Sequence, residues 1–470
     1  MNMIFVCIYL KYINIALVLI KTKNNISKNI MRKLSFLLSI LIVMTSVSCS
    51  SVNSDKQESK DMSKNSELIE SVTSTEETKQ EAVITMSCLE TVPKQLQDTI
   101  DRFNSENNGY SIILKDYSQY MEEIPANYAG DDLEEKLNEA KKNFRKETVN
   151  DILNNNSSDI ICSSLDTEVF ESLKNSGFFV DLYEFFDKDE QADISQYNSN
   201  IIKLCETDGK LYEFPDSYLI YTLVGAKEYI GERNSWTIDD VIDCYNSLPE
   251  NVSLTEENTT YDICNYFVYN NSGAYVENLY GDKNFHANEL RKVLNFCVNF
   301  SGTKRDITED EPYLLQMLYI NRFDDFHSKI QKFEEVNGES TLIGFPSDSG
   351  YSANIDIFES FGISNNSSDE VKAGAWEFLK YAVSEEQQMN LEIGLPVNNE
   401  AFGSMAEKND LTQREYTELL ECADNVKRRQ GHDDYELREI FVYDLSDLIN
   451  YRSISVDQAI ENINKKIQDF

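Results

Sequence analysis

Residues 82–114 read AVITMSCLETVPKQLQDTIDRFNSENNGYSIIL, and the order of their apolar positions decides the architecture. Ala82-Val83-Ile84-Thr85-Met86 is a short apolar run of strand type. Leu96, Ile100 and Phe103 then fall at offsets of 0, 4 and 7, the spacing of one helix face. Gly109 stops that run, and Ile112-Ile113-Leu114 predicts a second strand. Strand, helix, strand at this spacing is a βαβ unit, because the helix must cross one face before the next strand can lie parallel to the first. A helical pattern resumes through Leu133 to Leu153. Asp159-Ile160-Ile161-Cys162 predicts a third buried strand, ending at Ser163-Ser164.

Farther along, Trp236-Thr237-Ile238-Asp239-Asp240 carries a helix start, with Thr237 as cap and an acid three residues on. Ser368 caps a helix whose apolar face is Val371, Ala375, Phe378, Leu379 and Ala382. The final helix repeats the pattern with Val456, Ala459, Ile460, Ile463 and Ile467. These stripes predict core-facing surfaces. The body has no internal repeat and no Pro- or Gly-rich linker, which predicts lobes interleaved by several chain crossings.

Upstream, Met31-Arg32-Lys33 precedes an apolar run from Leu34 to Val47, the pattern of a secretory signal whose core is too short to span a membrane as an ordinary helix. It closes on Ser46-Val47-Ser48-Cys49, which resembles a bacterial lipobox and implies a lipid on the Cys49 thiol. The family usually has Leu where this chain has Ser46. Residues 1–30 read as an upstream extension, with translation starting at Met31, or as a long leader. From Ser50 to Glu81 no aromatic residue occurs and polar residues dominate, the composition of a flexible tether.

The whole chain has 470 residues, of which 24 are Phe and 26 Tyr, enough apolar surface to offset the ordering entropy of a large core. Its formal net charge is −39. The six basic residues before Ser50 share that stretch with no acid, so the remainder is more acidic still. Such a surface repels phosphates and argues against nucleic-acid binding. None of the nine cysteines forms a CxxC pair, and no histidine stands at metal-ligand spacing from one. Cys88 and Cys162, inside apolar runs, read as small buried hydrophobes. His286, His327 and His432 are isolated, and no HExxH, GxSxG or phosphate-cradling glycine loop occurs.

Over 83–470 the chain resembles family 1 extracellular solute-binding proteins, the carbohydrate-type branch of the periplasmic-binding-protein fold. The resemblance is carried by Phe103-Asn104, Ser158-Asp159-Ile160-Ile161, Gly177-Phe178-Phe179-Val180-Asp181-Leu182 and the run from Asp208 to Pro215. It continues in Gly344-Phe345-Pro346, Gly362-Ile363-Ser364, Ala375-Trp376-Glu377-Phe378-Leu379 and Gly394-Leu395-Pro396-Val397. Each piece is weak alone; their order and spacing are specific together.

The resemblance implies a two-lobed α/β, type II periplasmic-binding-protein-like fold with a hinge of crossing strands. The N-lobe is then 83–214 plus 346–400 and the C-lobe 218–344 plus 401–470, with crossings near Pro215 to Tyr221 and near Phe345-Pro346. It also implies a non-enzymatic, cofactor-free and metal-free monomer. Tethered outside the bacterial membrane as a lipoprotein, it would deliver a sugar or oligosaccharide to the permease subunits of an ABC importer. A binding protein that presents its ligand to a membrane receptor is the alternative, and a surface glycoside hydrolase is a third class.

Sugars are held by aromatic faces and by polar groups that satisfy hydroxyls, so the candidates stand just past strand ends. Tyr117 and Tyr120 follow the second strand as a stacking platform or as core tyrosines. Ser163 and Ser164 read as ligand hydroxyls or as the cap of the next helix. Tyr218 and Tyr221 lie at the first expected crossing, Phe345 and Tyr351 near the second, and Tyr266 between them. Trp236 and Trp376, the two tryptophans, sit in motifs that read as packing.

Overall fold

The computed structural model describes residues 82–88, 94–106, 109–122, 124, 131–277, 283–300, 311–348, 350, 353–430 and 432–469. The expected leader, Cys49, the tether and Tyr351 lie outside the described residues. Apart from 131–135, the described residues belong to a single unit of the chain.

The opening βαβ unit forms as its periodicity predicts. Strand β1 (Ala82–Cys88) pairs parallel with β2 (Tyr110–Asp116), Ile84 opposite Ile112. Helix α1 (Lys94–Ser105) buries Leu96, Ile100 and Phe103. Gly109 takes φ +84° before β2, a turn that a side chain resists. Asn104 explains the Phe-Asn pair, because its amide donates to the Ile112 carbonyl at 3.0 Å and accepts from the Ile112 N–H at 2.7 Å. One side chain thereby fixes where the helix ends and the strand begins.

Helix α2 (Asp131–Asp151) leads to β3 (Ile160–Cys162), which pairs parallel with β1. Asp159 anchors its start by accepting from the Thr85 N–H at 2.9 Å and the Thr85 hydroxyl at 2.6 Å. After α3 (Thr167–Asn175) and the short α4 (Ser199–Leu204), Asp208 and Gly209 take φ of 53° and 74°. Positive φ at both centres suits the two-residue turn between the bridged Thr207 and Lys210.

The strand that follows, β4 (Phe214–Ala226), is thirteen residues long. Next come α5 (Ile238–Ser247), β5 (Ser253–Thr255) and a small pair, β6 (Val276–Glu277) with β7 (Asn284–Phe285). Then follow β8 (Tyr313–Ile320), α6 (Phe323–Asn337), β9 (Ser340–Leu342) and a second long strand, β10 (Asn354–Ile363). Thr237 makes the capping box at the start of α5, worth about 1 kcal/mol.

The chain closes with α7 (Asp369–Ala382), β11 (Leu395–Pro396), α8 (Asn399–Lys408), α9 (Gln413–Asn425), β12 (Arg428–Arg429) and α10 (Val456–Asp469). Ser368 caps α7, and α10 buries Ala459, Ile460, Ile463 and Ile467 as its stripe predicts.

The main sheet has the order β2-β1-β3-β10-β4-β8-β5, with β9 and β11 also on β4 and β12 on β10. Pairing is parallel among β1, β2 and β3 but antiparallel where β10 meets β3 and β4, and where β4 meets β8. Both tryptophans pack: Trp376 donates to Asp189 at 2.9 Å with its ring 4.8 Å from Phe186, and Trp236 donates to the Gly344 carbonyl at 3.0 Å. Cys162 is buried, as its apolar run predicts.

Candidate functional site

Strand β10 is the element on which two halves of the sheet meet. One of its edges runs against β4 from Asn354 opposite Tyr221 to Phe361 opposite Phe214. Its other edge pairs with β3 over Phe361–Ile363 and with β12 over Asn354–Ile355. Among the described residues, no strand pairs with Asp356–Glu359 on that second edge. The gap lies just past the carboxyl end of β3, where open α/β sheets bind ligands.

Two sequence candidates, Ser163 and Ser164, stand at this gap. Their helix-cap reading gives way to Asp166, which accepts from the Val169 N–H at 3.0 Å and caps α3 itself. The serines instead converge on Glu359. The Ser164 N–H donates to its carboxylate at 3.1 Å and the Ser163 hydroxyl at 3.3 Å, while the Ser163 hydroxyl accepts from the Ser360 N–H at 2.9 Å. Burial pushes the Glu359 carboxyl up to about 7, against the pull of the serine donors. Asp216 stands beside it, at the irregular step where β4 and β10 change register. Desolvation, and then the Glu359 charge, push Asp216 up to about 7 as well.

Tyr221 belongs to the same floor. Paired residues on neighbouring strands share a face, and Asn354, Tyr221 and Tyr319 are paired across β10, β4 and β8. Two residues along β10, Asp356 shares that face. The Tyr221 and Tyr319 rings lie 5.0 Å apart at 50°, both half-buried. Tyr266 is half-buried and its hydroxyl meets the Met317 backbone, two residues before Tyr319. Burial of Tyr319, and then the Asp356 charge, raise its hydroxyl pKa.

The remaining described candidates go elsewhere. Tyr117 has no exposed surface, packs in a cluster with Phe144, Phe170 and Phe179, and makes no hydrogen bond through its hydroxyl. Tyr120 stays half-buried beside it, ring centroids 5.9 Å apart. Tyr218 and Phe345 are fully enclosed. Sequence reading passed over Glu359, Asp356, Asp216 and Tyr319. The available signal was an acid inside an apolar strand: Asp356 and Glu359 interrupt NIDIFESFGI, a position that costs free energy unless something uses the charge.

Below the floor, Glu213 has no exposed surface and binds both Lys174, at 2.7 Å, and Arg429. Burial alone would raise its carboxyl, but Arg429 and Lys174 hold it well below the usual carboxylate range. Among the described residues, no group of His, Cys, Asp and Glu could hold a metal ion, and no helix is long and apolar enough to cross a membrane.

No family model matches the sequence, and no curated protein does. Solved structures do match. The sugar-binding protein MalE of Xanthomonas citri is 12% identical, covers 83% of this chain and 97% of its own, and has a TM-score of 0.54. A sugar transporter of Rhizobium etli, solved in an open conformation, is 11% identical over 83% of this chain and all of its own, at a TM-score of 0.53. A family 1 extracellular solute-binding protein of Alicyclobacillus acidocaldarius is 12% identical over 83% and 98%, at 0.51. The chain therefore has the two-lobed α/β fold of the extracellular solute-binding proteins.

Proposed function

We propose that the protein captures a small solute, a sugar or oligosaccharide, between its two lobes and hands it to an ABC import permease from a lipid anchor at Cys49. The observation that carries this reading is the open stretch of β10 between β3 and β12. Among the described residues no strand pairs with this edge, which carries Asp356 and Glu359 and has Ser163 and Ser164 at one end and Tyr221 and Tyr319 toward the other. Half-buried tyrosine faces suit the C–H surface of a sugar ring, and carboxylates with serine hydroxyls suit its hydroxyls. Lobe closure about the crossing strands is the two-state element a permease would read. Support also comes from the fold neighbours, whose described activity is sugar or solute binding.

A thermal-shift panel of mono- and oligosaccharides tests the proposal. Binding to the native state alone stabilises it by RT ln(1 + [L]/Kd), about 2.7 kcal/mol at a hundredfold excess over Kd. At least one sugar should raise Tm and be recovered unchanged. A panel without a responder, or one in which a glycan is cleaved, removes the sugar-capture reading.

A further inference from the structure

A further cavity is lined by described residues away from the open stretch of β10. It lies on the opposite edge of β4, where β11 pairs with Ser217 and Tyr218, and has a volume of about 440 Å³. That is within the range of sites for single small ligands. Tyr197, Tyr218, Phe402 and Tyr416 contribute aromatic walls, while Ser199 and Asp424 supply polar groups. Tyr218 borders it with no exposed surface of its own.

The elements around the cavity are tied to one another, so its shape is built rather than incidental. The Asn198 amide donates to Asp424 at 2.8 Å, and the Asn200 amide donates to the Ala423 and Val426 carbonyls, both at 2.8 Å. Phe402 and Tyr416 meet at 54° with centroids 6.1 Å apart, forming a corner. Among the described residues, no Lys or Arg lines the cavity, and its one ionisable acid is the exposed Asp424. Aromatic faces beside a carboxylate, without a competing cation, attract an ammonium group through the ring quadrupole and the charge. The net charge of −39 adds a field that concentrates cations at the surface.

We infer that this cavity beside β4 is a second binding site, separate from the cleft, for a small organic ammonium compound. Tyr416 and Phe402 face its apolar body, and Asp424 neutralises its charge.

Titration calorimetry of the full-length protein with choline, tetramethylammonium and putrescine, with D-glucose as the neutral control, tests the site. At least one of the three cations should bind one-to-one, more weakly as salt is added. Leu420→Trp, which fills the cavity from α9, and Asp424→Asn, a surface change, should each weaken that cation at least tenfold. Tyr221→Ala, in the cleft, should leave it within about twofold, so the fate of the cleft proposal does not decide this one. The inference is overturned if none of the three cations binds or if binding survives Leu420→Trp. It is equally overturned if Tyr221→Ala abolishes binding, or if D-glucose is the probe that Leu420→Trp displaces.

Discussion

Arg429 forms an ion pair with Glu213, a carboxylate that has no exposed surface and lies 216 positions earlier in the chain. The pair joins the start of the long strand β4 to the two-residue strand β12, and Lys174 of α3 completes the triad.

Arg429→Met removes one of the two cations that hold a fully enclosed carboxylate, so it should lower stability in urea unfolding, by less than the about 3–5 kcal/mol of a buried charge left wholly unpaired, because Lys174 stays on Glu213. Glu213 is held below its ordinary value of 4.5. Its contribution is therefore complete above pH 4.5 and is lost as the pH falls below that value. Glu213→Gln should be less stable than the parent at neutral pH and should close that difference on acidification. Equal acid sensitivity of the two proteins would contradict the assignment.

Glu359 titrates in the opposite sense. Its folded value of about 7 lies above the ordinary 4.5, so its contribution is full below pH 4.5 and is lost as the pH rises through about 7. Asp216, at about 7, adds to the same trend. The parent should thus lose Tm between pH 5 and 8. Glu359→Gln should flatten the profile, and Asp216→Asn in addition should flatten it further. A parent profile that rises over this interval would remove both assignments.

Tyr117 and Tyr221 should separate stability from binding. Tyr221→Ala should weaken the captured sugar about tenfold or more, since it removes one of two adjoining ring faces at the floor. Tyr117→Ala should cost about 3–5 kcal/mol of stability, as loss of a buried aromatic ring does, while leaving affinity unchanged. Tyr117→Phe should be neutral or stabilising, because the hydroxyl it deletes makes no hydrogen bond. Calorimetry together with denaturant melts reads both quantities.

Gly394 takes φ +99°, and a Cβ placed there would lie 2.6 Å from the Ser217 Cβ on β4. Strain and overlap act together, so Gly394→Ala should destabilise the protein by about 2 kcal/mol or more. Gly177→Ala, at φ +73° but with open space around it, should cost less. The ratio of the two costs in parallel melts tests whether the close approach of β11 to β4 matters beyond backbone conformation.

Much of this was legible without coordinates. Offsets of 0, 4 and 7 at Leu96, Ile100 and Phe103 identify a helix face, and apolar runs on either side identify strands, because burial of one face is a local periodic demand. Thr237 and Ser368 likewise announce helix caps through interactions spanning four residues or fewer. Ser163 and Ser164 were legible as strand-end hydroxyls for the same reason, and the lipobox-like Ser46 to Cys49 is a purely linear signal.

What the sequence by itself determined, then, is the class of fold, its repeating elements and the ends of the strands where a site could form. Only the tertiary structure decided which of those ends meet. Glu359 reaches Ser163 across 196 positions and Arg429 reaches Glu213 across 216, and no local pattern encodes a partner at that separation. It also decided which tyrosines are sealed and which stay half-buried. Tyr117 and Tyr218 are sealed by neighbours from distant segments, whereas Tyr221 and Tyr319 remain half-buried where β4 pairs with β8. Exposure is a property of the packed whole, and a side chain's identity does not carry it.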